Sequence, residues 1–192
     1  MRRFLVSGCL VLALLMPSVS AAETAAASSS PTEQHRLDEL FAQLKQESNE
    51  AAARRIASRI RDEWERAGGA TADLLIAWAH KAAAEKKFNV ALDLLDQAVT
   101  LYPQYVESWN SRALVFLMMN DVDRAMSDLA QVLSIEPRHF GAMSGLAGIL
   151  RVTGRTDEAL EVYRRMLDVY PMQRNAQRAV LDLADEKADE RL

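Results

Sequence analysis

Pro103, Pro137 and Pro171 stand 34 residues apart, and Ala91, Ala125 and Ala159 repeat at the same interval. In-phase repetition of this kind excludes a single irregular core. It requires one supersecondary unit copied along the chain, each copy burying its apolar face against its neighbours. The copies run 72–105, 106–139 and 140–173 without insertion or deletion. Each first half carries apolar residues three to four apart: Leu75, Trp78, Ala79 and Ala82; then Trp109, Ala113 and Phe116; then Met143, Leu146, Ala147 and Leu150. Each second half does the same with Ala91, Leu95 and Ala98; Ala125, Leu129 and Val132; Ala159, Tyr163 and Met166. That spacing predicts two helices per unit, with the proline ending the second. The fold expected is therefore an all-α solenoid of antiparallel helix pairs, with Trp78 and Trp109 in its core.

Small residues have a physical role here. Ala79, Ala113 and Ala147, facing Ala91, Ala125 and Ala159, let paired helices approach closely. Gly154 and Asn120 fall where the chain needs a left-handed residue between helices, and Lys86 fills the third such place less well. Asp121 and Thr156 are expected to cap the second helices.

These residues resemble the tetratricopeptide repeat family, whose pattern places Trp, Leu, a small residue and an aromatic in the first helix, then Ala, an aromatic, Ala and Pro in the second. The resemblance covers 72–173 and implies a right-handed superhelix whose first helices line a concave, partner-binding groove. Carried over position by position, the groove residues are Asp73, Ile76, Ala77 and His80; Glu107, Asn110, Ser111, Leu114 and Leu117; Gly141, Ser144, Gly145, Gly148 and Arg151. Members of the family that clamp a C-terminal carboxylate use Lys, Asn and Arg at positions that here hold Ala77, Glu107 and Ser111. The resemblance therefore does not imply that docking activity. Arg151 is the one cation it places in the groove.

Outside the repeats the chain changes character. Arg2 and Arg3, the apolar run Phe4–Met16, Pro17 and the small residues Ser20, Ala21 and Ala22 read as a signal peptide over 1–22. Export to the periplasm or beyond the cell follows as an expectation, with no membrane insertion after cleavage. The lone Cys9 precedes the apolar run, the reverse of a lipidation box, so the mature chain carries no lipid and no disulfide. Residues 23–35 are small and polar and read as a flexible linker. Leu37, Leu40, Phe41 and Leu44, then Ala53, Ile56, Ile60 and Trp64, mark a helix pair within 36–71, either a degenerate fourth unit or an unrelated packing pair. At the far end, 174–192 reads as a polar helix whose stripe Ala176, Ala179, Val180 and Leu183 covers the last unit.

Composition narrows function by exclusion. Without Arg2 and Arg3, Lys+Arg falls from 23 to 21 against 27 acids, and a net charge of about −6 disfavours nucleic acid and anionic membranes. His35, His80 and His139 share no metal-ligand spacing, and the glycines at 141, 145 and 148 lie along a helix rather than in a phosphate loop. No catalytic residue, metal or cofactor is expected. The sequence reads as a non-enzymatic adaptor for a protein or peptide partner, a monomer or weak homo-oligomer, similar to small bacterial periplasmic repeat proteins. The alternative is a self-associating structural component of an envelope assembly.

Overall fold

The computed structural model describes residues 31–189; the signal-peptide expectation over 1–22, most of the linker and the last three residues lie outside them. Among the described residues the chain forms nine helices and no strands. They are α1 Pro31–Gln46, α2 Glu50–Arg66, α3 Gly69–Ala84, α4 Phe88–Leu101, α5 Val106–Met118, α6 Val122–Ile135, α7 Phe140–Val152, α8 Thr156–Val169 and α9 Arg174–Asp189. The pairs α3/α4, α5/α6 and α7/α8 stack in series, and α9 packs on α8. The alanines at 79, 113 and 147 and at 91, 125 and 159 are all fully buried, as close helix approach requires.

Each pair turns by the same device. Lys86, Asn120 and Gly154 have φ of 59°, 59° and 75°. The following amides reach back five residues, Lys87 N–H to Ala82 O, Asp121 N–H to Phe116 O and Arg155 N–H to Leu150 O, each at 2.8 Å. This closes a left-handed helix end three times over. Lys86 thus adopts the conformation that its side chain disfavours, because the repeat geometry requires it. Asp121 caps α6 as expected, its Oδ1 accepting from Arg124 N–H at 3.3 Å. Thr156 does not cap α8; it is the first helical residue, and Arg155 holds the cap position without a side-chain bond.

The three prolines do more than stop helices. A proline carbonyl followed by a new helix is open to side-chain donors, and each is used. Trp109 Nε1–H donates to Pro103 O at 2.9 Å, an Arg165 N–H to Pro137 O at 3.3 Å, and the Gln177 amide to Pro171 O at 2.7 Å. The first of these corrects the reading of Trp109 as a core residue. It is half-buried, with its indole at the rim and Arg112 stacked 4.9 Å over the ring. Trp78 is also no core residue, being 52% exposed beside Leu74 at 47%. The corresponding faces of α5 and α7 are covered: Ser108 and Ala142, the counterparts of Leu74, are fully buried.

That open α3 face shows how the N-terminal helices are placed. They do not stack on α3 as a further unit. Instead α1 and α2 lie across the loops that join the pairs, where Trp64 stacks on His139 at 4.2 Å and tilts against Phe140 at 5.1 Å and Phe41 at 5.9 Å. Ion pairs tie each helix of this strap to the stack, Asp38 of α1 to Arg138 at 2.6 Å and Glu50 of α2 to Arg174 at 2.9 Å. The helix pair is therefore 31–66 rather than 36–71: residues 31–35, read as linker, open α1, and 69–71 belong to α3.

Candidate functional site

The first helices bring part of the predicted groove into one hollow of about 470 Å³, lined by Asp73, Ile76, Ala77 and His80 of α3 and by Glu107 and Ser111 of α5. Tyr105, just before α5, and Asp62, Glu65 and Arg66 of α2 complete it. The α2 wall exists because the strap lies across the loops, and its three residues were absent from the sequence reading. Helical periodicity in 53–64 marks which side of α2 is apolar but not which partner the polar side meets.

Polar side chains at the hollow and just behind it hold one another in place. His139, 2% exposed, accepts the Ala142 amide on Nδ1 at 2.9 Å, so its proton sits on Nε2 and is donated to Glu107 Oε1 at 2.9 Å. Asn110 donates to the other oxygen of Glu107 at 3.0 Å. Burial alone would raise the Glu107 carboxyl, but the bonds from His139 and Asn110 outweigh it and hold the group below the usual carboxylate range. Nearby, Tyr105 Oη donates to Glu65 O at 2.6 Å and lies 3.2 Å from Asp73 Oδ1; burial first, then Asp73, pushes the phenol far upward. His80 Nε2 and Ser111 Oγ are 3.0 Å apart.

Glu107 gives a signed expectation for pH. A carboxyl whose folded value is depressed contributes stability that is complete above its unfolded value, near 4.5, and is lost as pH falls through the folded value. Urea midpoints for the wild type should therefore drop below about pH 4.5 more steeply than those of Glu107→Gln. Parallel curves would show that the His139–Glu107 bond adds nothing to stability.

The remaining predicted residues lie further along the first helices. Leu114 is 49% exposed, with Met118 one turn on at 55%, and Leu117 is half-buried against the core. Ser144 is exposed. Gly148 leaves open space where a side chain would sit. Arg151 is not a free cation: it lies 4.0 Å from Asp182 and 3.9 Å from Glu186 of α9. It is also not the one cation at the groove, since Arg66 lines the hollow, paired to Glu63 at 2.7 Å.

Among the described residues no group of three or more His, Asp or Glu is arranged to hold a metal ion, and no helix is long and apolar enough to cross a membrane. Of the titratable side chains that line the hollow, Tyr105 meets Asp73 and Glu107 meets the buried His139, while Asp62 and Glu65 of α2 stand exposed at its wall.

Comparison with known proteins agrees with the fold. Two family models, both described as tetratricopeptide repeat, match residues 76–135 and 116–183. A TPR repeat-containing protein of Rhizobium etli is 49% identical over 165 residues, covering 86% of this chain and 80% of the relative. Among solved structures, the first TPR domain of Spaghetti (RPAP3), bound to an HSP90 peptide, superposes with a TM-score of 0.57 at 19% identity, over 62% of this chain and 96% of that one. The Arabidopsis OM64 TPR domain gives 0.56 at 20% identity, over 60% and 96%.

Proposed function

We propose that this chain, which belongs to the tetratricopeptide repeat family, is a non-catalytic adaptor of the bacterial cell envelope that holds a segment of a partner protein along its first-helix groove. The family's role in protein–protein interaction is the premise. The observation that carries the groove assignment is the hollow between α2, α3 and α5, continued by the half-exposed apolar pair Leu114 and Met118. A structural neighbour of the same fold has a peptide bound. An extended segment can bind such a surface by side-chain contacts and hydrogen bonds, with Asn110 both donor and acceptor.

The experiment is a double replacement, Asn110→Ala with Leu114→Arg. Leu114 is solvent-facing, so helicity should change little, while loss of the Asn110 bond to Glu107 should lower stability by about 1 kcal/mol without unfolding the chain. Binding of partners captured by the wild type from the native envelope should weaken by at least ~2 kcal/mol if these are central contacts. Undiminished binding would move the site to the second-helix face or to α9.

The envelope assignment rests on the leader-like pattern of Arg2, Arg3 and Phe4–Met16 followed by small residues at 20–22. Intact mass of the protein from the envelope fraction should correspond to a start near Ala22 or Glu23. An uncleaved Met1, or a lipid adduct on Cys9, would overturn this part of the proposal.

A further inference from the structure

We infer that the segment held by this groove is basic, carrying a lysine or arginine on each side of an apolar residue. This inference rests on the groove reading above and adds the chemistry of the occupant.

At one end, the α2–α3–α5 hollow presents Asp62, Glu65, Asp73 and Glu107. Its single arginine, Arg66, is drawn to Glu63. Asp62, Glu65 and Asp73 take part in no ion pair among the described residues. The floor beneath them, Ile76 and Ala77, is apolar. A lysine or arginine matches both parts, its methylenes lying on the floor while its charged head stays at the wet rim. A carboxylate at the same place would face several acids and one arginine that is already paired to Glu63.

The other end repeats the pattern from a different element. Asp182 continues the series His80, Leu114, Gly148 at the same 34-residue interval, which places α9 in phase with the first helices. With Glu186 it faces Arg151 at the limit of ion pairing, and the three side chains are 57%, 55% and 42% exposed. Two carboxylates against one guanidinium leave a net negative end. Between the two ends lie Leu114, Met118 and the space beside Gly148. The groove thus reads acidic, apolar, acidic, and complementarity of this kind selects partners by sign and speeds encounter more than it adds raw affinity.

The test uses the mature chain and labelled extended peptides in which lysine, glutamate or glutamine flanks a central leucine, titrated by fluorescence anisotropy. The lysine peptide should bind at least ~tenfold tighter than the glutamate peptide, with the difference shrinking as salt rises. Asp62→Asn with Glu65→Gln, and separately Asp182→Asn, should each reduce that preference, while Asp123→Asn on α6 should not. Equal affinities, a preference for glutamate, no binding of the lysine peptide, or indifference to the groove substitutions would each overturn the inference. Leu114→Ser separates the two levels. If it weakens all three peptides alike and no lysine preference exists, the groove stands and its basic partner falls. If the lysine peptide ignores Leu114→Ser, the groove itself is not the surface.

Discussion

Replacing Trp64 by alanine should cost about 3–5 kcal/mol of unfolding free energy, the range for deleting a large buried aromatic. Trp64 is 4% exposed and lies between Phe41 of its own helix pair and His139 and Phe140 of the repeats, so its removal leaves a cavity bounded by three rings. Loss of this side chain undocks the strap more than it damages any repeat. Amide exchange in α1 and α2 should therefore accelerate more than in α5 to α8. Trp64→Phe should be far milder, since the indole N–H is buried without a partner and phenylalanine removes that unsatisfied donor. A urea midpoint for Trp64→Ala within error of the wild type would mean that α1 and α2 do not dock as described.

The second large effect is at Asp128, a carboxylate only 4% exposed in α6. Arg112 of α5 donates to both its oxygens at 2.8 Å and to Asp96 of α4 at 2.7 Å, tying three helices of two units together. Asp128→Ala should cost about 3 kcal/mol, because it leaves a largely buried guanidinium with one exposed partner. Replacing both residues by apolar ones, Arg112→Met with Asp128→Leu, should recover most of that loss, since neither charge is then stranded. If the double variant is as unstable as the single one, packing rather than the ion pair explains the site.

The repeats were legible because their information is local. The 34-residue interval, the small residues at 79, 113 and 147, and the apolar spacing each follow from helix geometry within one unit. Lys86 shows the limit of reading turns by residue type: its left-handed backbone follows from register with Asn120 and Gly154, not from its side chain. Trp78 and Trp109 were misplaced for a related reason. Periodicity gives the apolar side of a helix, but burial of that side depends on whether another helix lies over it. The α2 wall of the hollow was illegible altogether, since it depends on contacts between residues far apart in sequence. One signal for His139 was available: it stands 34 residues from both Tyr105 and Gln173, and like Gln173 it caps the following helix through its side chain.

The strap also bears on how the molecule comes apart. A linear stack of helix pairs frays from its ends, because each pair is held only by the one before and the one after. Here Asp38 meets Arg138 across 100 residues and Glu50 meets Arg174 across 124. The first helices are thereby bound to the loop before the last unit and to the capping helix that follows it, and the open row becomes a closed circuit. The N-terminal end cannot peel away without breaking contacts at the C-terminal one. Unfolding should then approach a single cooperative transition, and folding should wait on a long loop closure that can occur only after the final repeat has formed.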